Sequence, residues 1–384
     1  MAHPILQFGT SRFLLAHVDL FVSEALAGAP GAGDALGGIT VVQTSERPEG
    51  AARVAALAAA ADQGGGYPVR VRGLAGGEVV DRTLPCTSVQ HAWQASARWA
   101  ELRSSVMPQV RVIVSNTADT GYLLHEGDGP QALQPGSAAP RSFPAKLLVL
   151  LHERWRAAPQ LPLTLLPCEL IERNGDVLKG VVLQLAQQWQ LPADCIAWLD
   201  AHCVWASSLV DRIVSEAIEP VGAVAEPYAL WAIERRPGLQ LPCTHPSIVL
   251  TDDLAFHERL KLFLLNAGHT FLAERWLQSG AVPTATVREA MADPVRRPEL
   301  EALWAEEILP VFDGLGPVAR AQAEAYLVDV RERFANPFLD HRIADIAQNH
   351  AQKKQRRFGP ILALAAEHAP QLAQPRLKAA MAGA

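Results

Sequence analysis

Short apolar runs alternate with amphipathic stretches from the start of the chain to about residue 233. "PILQFG" is an apolar run that stops at Gly9. "RFLLAHVDLFVSEALA" after it carries Phe13, Leu14, Val18, Phe21, Val22 and Leu26 at helical spacing. The chain therefore opens strand, tight turn, helix. "ITVVQT" predicts a second strand and "EGAARVAALAAAADQ" a second helix, while "YPVRVRG" and "EVVDRTLP" alternate as paired strands or a hairpin do. "AWQASARWAELRSSV" reads as a helix, and "VRVIVSN" as a buried strand running into the turn "TADTGY". "AKLLVLLHERWRAA" predicts a helix, "LPLTLLPCELI" a strand and "DVLKGVVLQLAQQW" a strongly amphipathic helix. Such alternation builds βα units on a mostly parallel sheet.

From about residue 250 the pattern changes. "HERLKLFLLNAGHTFLAERWLQ", "TVREAMA", "RPELEALWAEEILPVF", "VARAQAEAYLVDVRERF", "DHRIADIAQNHAQKKQRRF" and "ILALAAEHAPQLAQPRLKAAM" all read helical. The expectation is an α/β protein with a dinucleotide-binding type of domain over residues 1–235 and a mostly α-helical domain over 236–384. No internal repeat stands out.

Composition adds bounds to this picture. With 384 residues and 49% hydrophobic content, two domains can each bury a core. A net charge of -6 and a pI near 6.1 argue against a broad nucleic-acid surface and leave room for one small basic pocket. Five scattered cysteines without a CxxC spacing suggest reduced thiols. No basic-then-apolar leader and no clean membrane-spanning segment is seen, so a cytoplasmic protein without membrane or nucleic-acid partners is expected.

Candidate chemistry falls at strand ends and in one helix. Gly9, Thr10 and Ser11 follow the first strand, where a glycine permits close backbone approach and a helix start favours a pyrophosphate. An ordinary strand–helix turn has the same look, and the full G-x-G-x-x-G pattern is absent. The second strand ends in Gln43 and Thr44, with Arg47 close by and no carboxylate for a ribose. Ser115, Asn116 and Thr117 follow a buried strand, either as cofactor ligands or as a capped turn. Glu169 lies near a strand end and could be a site carboxylate, Cys168 beside it reads as core, and Asn174-Gly175 reads as a turn with Asp176 capping the next helix. Asp211 beside Arg212 is either part of the cofactor site or half of a buried ion pair holding the domains together.

The most telling stretch is "KLFLLNAGHT". At about 100° per residue, Asn266 falls about 140° and His269 about 80° from Lys261, a broad sector rather than a stripe. A partly desolvated lysine gives up its proton more readily, an amide can donate to an oxyanion, and an imidazole can orient the reacting oxygen. A snorkelling lysine with a satisfied core histidine fits the same spacing. Lys353, Lys354, Arg356 and Arg357 form a basic cluster, either a solvated helix end or a clamp for a carboxylate. No HExxH, other metal-ligand cluster or G-x-S-x-G elbow appears, so no metal is expected.

These motifs together resemble the polyol-specific long-chain dehydrogenases, the mannitol dehydrogenase family, and most of all its tagaturonate reductase (altronate oxidoreductase) branch. The resemblance rests on "DDLAFHERLKLFLLNAGHT", "SLVDRIV", "QFG", "VSNT", "SFPAKL", "PCELIERNGDVLK", "EPYALW" and "RFANPFLDHRIADIA". It implies a Rossmann-type N-terminal domain and metal-independent hydride transfer between a nicotinamide and a sugar-derived carbon. It also implies Lys261 as proton-transfer group, Asn266 as oxyanion donor and His269 as orienting group. Glu169, Lys353 and Arg357 become substrate residues. Gly9, Thr10, Ser11, Gln43, Thr44, Ser115, Asn116, Thr117 and Asp211 become cofactor residues. The implied cofactor is NAD, with NADP left open, and the implied partner is a small sugar acid or polyol; a monomer is common in such dehydrogenases. The chain departs from the family pattern with "GTSRF" for GxGNF, "NTADTG" with Asp119 in the acidic position, and "CEL" with Leu170 for the asparagine of a "CDN" triplet. It is also about a hundred residues shorter than expected for that branch. A mannitol or fructuronate/mannonate-type dehydrogenase, and a non-catalytic nucleotide-binding protein on the same scaffold, remain the alternatives.

Overall fold

A computed structural model describes residues 3–117 and 120–382. The chain divides into two compact units. The first comprises residues 1–71, 82–225 and 229–254; the second comprises 72–81, 226–228 and 255–384.

The strands of the fold are β1 (Ile5–Phe8), β2 (Ile39–Gln43), β3 (Tyr67–Ala75), β4 (Glu78–Cys86), β5 (Val89–Gln94), β6 (Val112–Ser115) and β7 (Leu163–Pro167). Then follow β8 (Cys203–Trp205), β9 (Ser208–Asp211), β10 (Val214–Ala217), β11 (Ala223–Ala225), β12 (Leu230–Glu234) and β13 (Ile248–Thr251). Six of them form a wholly parallel sheet in the order β5-β2-β1-β6-β7-β8. This is the doubly wound dinucleotide-binding order, with the switch point between β1 and β6. Central strands are buried on both faces, which is why β1, β6 and β7 are short apolar runs rather than alternating ones. The helix Phe143–Ala157 packs Leu147, Leu148, Leu150 and Leu151 into the same core as Leu6, Phe8, Ile113 and Leu165. A second sheet runs β10-β11-β3-β4, and a third runs β13-β12-β9.

The second unit is mostly helical, apart from the ends of β3 and β4 within 72–81. Its core gathers Phe263, Leu264, Phe271, Trp304, Phe312, Leu327, Phe334 and Phe358 from successive helices. A capping box starts the helix Val287–Ala292, with Thr286 and Glu289 bonding each other's backbone N–H. Among the described residues no helix is long and apolar enough to cross a membrane. All five cysteines are buried free thiols.

Several elements differ from the sequence expectation. Ala92–Gln94 belong to β5 rather than to a helix, because they complete the ladder beside β2; the helical stretch begins only at Trp99. The first helix is not continuous. It breaks into Arg12–Leu15 and Val18–Leu26, since Arg212 draws off the Ala16 carbonyl (2.6 Å) and the His17 ring bonds the Leu230 carbonyl (3.1 Å). Asn174 opens its helix and Arg173, in the left-handed region at φ 50°, precedes it; Asp176 pairs with Arg173 and Arg236 instead of capping. The stretch 340–358 breaks at Asn349, also left-handed at φ 54°. Strand structure continues beyond residue 233 into β13, and the helix Ala193–Ala201 and β8 lie where no element was read.

Candidate functional site

In the first unit, the predicted cofactor residues other than Asp211 gather at the carboxyl ends of β1, β2 and β6. Gly9 follows β1 with φ +118°, and a Cβ placed there would stand 2.4 Å from the Asn116 carbonyl oxygen. Only glycine lets these two loops meet so closely at the switch point. Gly9 N–H donates to the Val42 carbonyl and Asn116 N–H to the Phe8 carbonyl, locking the three strand ends together. Ser11 is the N-cap of the single turn Arg12–Leu15, and the Thr10 carbonyl accepts from Arg53 at 3.0 Å. The helix that follows Gly9 is thus one turn long before its break, not the extended helix that the sequence suggested for a pyrophosphate.

Gln43 points inward. It is buried, and its amide donates to the Arg47 carbonyl at 3.1 Å, closing the loop that leads to the helix Pro48–Asp62. Half-buried Thr44 and exposed Arg47 are left at the end of β2. Asp211 is buried in β9 near the ring of His17, whose pKa falls to about 3 through burial and the nearby Arg212 charge.

Glu169 brings the next group together. Its carboxylate accepts from Ser115 Oγ and Tyr122 OH at one oxygen and from Thr117 N–H and Oγ1 at the other, all at 3.0 Å. The Asn116 amide donates to the Cys168 carbonyl at 2.8 Å. Asn174, read only as a turn residue, is fully buried; it donates to the Glu169 and Ser208 carbonyls and accepts from Ser208 N–H. Ala118 and Asp119 lie outside the described residues.

In the second unit, Lys261, Asn266 and His269 occupy one continuous helix over Leu254–Gln278, but Lys261–Asn266 is a π-helical turn. Ala267 N–H reaches back to the Leu262 carbonyl, the i→i+5 bond of such a turn. Residues five apart there stand as residues four apart do in an α-helix, so Asn266 comes over Lys261. His269, three residues on, continues the same face. The broad sector expected from α-helical geometry becomes a stripe. Trp304 supports the turn: its indole N–H donates to the Leu264 carbonyl at 3.0 Å, and its ring lies against Gly268, where a Cβ would meet it at 2.8 Å.

Lys261 and Asn266 are half-buried. His269 is buried, stacked on Phe334 at 4.2 Å and meeting His341 edge-on at 4.8 Å. Arg357 donates to the Asn266 carbonyl (3.2 Å) and to Thr270 Oγ1 (2.9 Å), and Lys353 donates to the Ile346 carbonyl at 2.7 Å. Burial lowers the pKa of Arg357; burial and the neighbouring Arg357 charge lower that of Lys353. His341 is lowered by burial and by Lys353, against an opposing pull from Asp345. Burial acts on all three, and the charge of a neighbouring cation adds to it only at Lys353 and His341. The basic cluster is thus sorted. Arg357 sits with the Asn266 turn and Lys353 beside Arg357, Arg356 is exposed, and Lys354 is buried in an ion pair with Glu274 at 3.1 Å. His341, Phe334, Trp304 and Tyr122 were not singled out from sequence; each is marked only by a partner distant in the chain.

A cavity lies elsewhere in the first unit. About 590 Å³ in volume, it sits at the amino ends of β1, β2 and β5, between Pro4, Gly38 and Val89. Ligands of open α/β sheets bind at the opposite, carboxyl ends, where Gly9, Thr44 and Asn116 lie.

Comparison with known proteins places this arrangement. Residues 100–241 match the mannitol dehydrogenase Rossmann domain, and residues 253–384 match the mannitol dehydrogenase C-terminal domain. The altronate oxidoreductase of Halalkalibacterium halodurans is 32% identical over 378 residues, covering 93% of this chain and 69% of that protein. The chain belongs to the mannitol dehydrogenase family. It is an oxidoreductase of that family. The altronate oxidoreductase of Klebsiella pneumoniae is likewise 32% identical over 401 residues, covering 98% of this chain and 78% of its own. Among solved structures, a substrate-free D-sorbitol dehydrogenase shares the fold with a TM-score of 0.81 at 19% identity, covering 99% of this chain and 80% of that one. A Pseudomonas fluorescens mannitol 2-dehydrogenase, solved with NAD and D-mannitol, gives 0.69 at 19% identity, covering 100% and 79%. The Rossmann-type sheet and helical C-terminal region expected of a family member are both present.

Proposed function

We propose that this family member is an NAD-dependent sugar-acid dehydrogenase that interconverts an altronate-like hydroxy acid and its tagaturonate-like ketone. The observation that carries the reading is the stripe of Lys261, Asn266 and His269, with Lys353, Arg357 and His341 beside it. Two neighbouring cations, Lys353 and Arg357, suit a substrate bearing a carboxylate. A neutral polyol offers no charge to pair with them. The relatives named altronate oxidoreductase support the same substrate class.

The residues of the first unit fit a dinucleotide. The Gly9 turn against Asn116 leaves a cradle that any Cβ would fill, at the switch point of a dinucleotide-binding sheet. Gly9, Thr10 and Ser11 are proposed for the pyrophosphate, Thr44 for the ribose, and Asn116 and Thr117 for the nicotinamide side. When bound, NAD supplies the hydride chemistry; a fold shared with a mannitol 2-dehydrogenase solved with NAD favours it over NADP.

The chain's own residues handle the proton and the charge. In oxidation, neutral Lys261 takes the proton of the substrate hydroxyl; in reduction, its ammonium returns that proton. The Asn266 amide donates to the same oxygen as negative charge builds there. His269, fixed between Phe334 and His341, orients the oxygen. Arg357 and Lys353 hold the carboxylate end, Arg357 as a planar donor and Lys353 as a point charge.

A panel of uronates, aldonates and polyols with NAD and NADP, followed by nicotinamide absorbance, tests the reading. Turnover of altronate with NAD at the highest kcat/KM is expected. Preference for mannitol or mannonate would replace it with the neighbouring activity, and silence across the panel would leave a nucleotide-binding protein. A second check uses Gly9→Ala. Its Cβ would collide with the Asn116 carbonyl, and strain of order 1–3 kcal/mol should weaken NAD binding about tenfold or more in calorimetry. Unaltered affinity would remove Gly9 from the cofactor site.

A further inference from the structure

Glu169 was expected to meet substrate, but its carboxylate has another task. It is 3% exposed, at the carboxyl end of β7. A carboxylate offers about four acceptor positions. Here four donors take them: Ser115 Oγ and Tyr122 OH at Oε2, and Thr117 N–H and Oγ1 at Oε1. Burial and the Glu169 charge push the Tyr122 phenol up, so it stays protonated and donating. The backbone of Glu169 is pinned as well, its carbonyl accepting from buried Asn174 at 3.0 Å. The hydroxyl protons of Ser115 and Thr117 and the Thr117 N–H are thereby spent on Glu169 rather than left for a ligand.

We propose that Glu169 is a positioning residue for the cofactor loop. It fixes the backbone at Ser115–Thr117, just after β6, beside the Gly9 turn, and it touches neither substrate nor the transferred proton. This rests on the NAD reading above. Ser115 and Thr117 then serve the dinucleotide through the backbone they hold in place, and the loop's set is what Glu169 controls.

The chemistry of the four donors gives a sharp test. In Glu169→Gln the amide oxygen can still accept from Thr117 N–H and Oγ1. The new NH2 can donate to the Ser115 and Tyr122 hydroxyls, which are able to accept. The network survives without the charge. In Glu169→Ala it is lost and the Thr117 N–H is stranded. Calorimetric titration with NAD should show Glu169→Ala weakened about tenfold or more, one to two buried hydrogen bonds' worth. Glu169→Gln should recover to within about threefold, with its pH–rate profile unmoved and the KM for altronate at saturating NAD unchanged. A Glu169→Gln enzyme that binds NAD like the wild type but loses turnover would overturn the proposal, because the charge would then act on substrate or proton. So would Glu169→Ala binding NAD normally. If Glu169→Ala does not fold, Tyr122→Phe carries the test: removing one donor should raise the Kd for NAD about threefold without altering the KM for altronate, and an unchanged Kd would sink the idea. Failure of the wild type itself to bind NAD would instead defeat the underlying functional reading.

Discussion

Lys261→Ala is expected to cut turnover by about 10²–10⁴-fold, the usual worth of a positioned general acid–base, while NAD binding persists. Lys261 opens the π-turn, with Asn266 brought over it and His269 next along the face. Asn266, an amide, exchanges no proton, and buried His269, stacked on Phe334, is assigned to orienting the oxygen. Steady-state kinetics and an NAD titration on the same preparation check both halves. Loss of NAD affinity in parallel with turnover would point to misfolding rather than lost chemistry, and near-wild-type turnover would remove Lys261 from the reaction. Lys261→Met, which keeps the side-chain length without the amine, should be as inactive as the alanine variant.

The second large effect concerns stability. Glu226→Ala should destabilise the second unit by about 3–5 kcal/mol, the cost of leaving a buried charge without its partner. The Glu226 carboxylate meets Arg333 through two bonds, at 3.0 and 2.9 Å, and both side chains are within a few per cent of full burial. Arg333 also donates to the Tyr326 hydroxyl at 3.3 Å and lies over the Tyr228 ring at 4.4 Å. Glu226–Tyr228 is the short segment that joins the helical unit from among the strands of the first. In thermal unfolding the Tm should fall by roughly 10 °C. Removing both charges together, as Glu226→Leu with Arg333→Met, should recover most of the loss, since a buried pair often does no better than an apolar one of similar volume. A double variant as unstable as the single would show that the charges themselves hold the segment.

Much of this was legible in the sequence, and what was not has a physical cause. The buried strands ending at Gly9, Gln43 and Ser115 were readable, because a sheet covered on both faces leaves apolar runs stopped by turn residues. The helix break at His17 was not: it depends on Arg212 and on the Leu230 carbonyl, far along the chain. The spacing of Lys261, Asn266 and His269 was legible, but its phase was not. Periodicity assumes one helical pitch, and the π-turn is supported by Trp304, which local sequence does not connect to Leu264. Four neighbouring cations at 353, 354, 356 and 357 looked alike. Only folding separates Lys354, paired with Glu274, from Arg357 at the Asn266 turn and Lys353 beside Arg357. Glu169 was found for its type and place, yet its donors come from another strand's loop, so its occupation could be seen only in three dimensions.

The central claim is hydride transfer to NAD from a sugar acid, and the most direct measurement follows the hydrogen itself. Altronate deuterated at its reacting carbinol carbon should yield reduced nicotinamide carrying one deuterium by mass spectrometry, formed about 10²–10⁴-fold more slowly by Lys261→Ala than by the wild type. Reduced nicotinamide without the label, or NAD left unreduced by altronate and every related acid, would contradict the account.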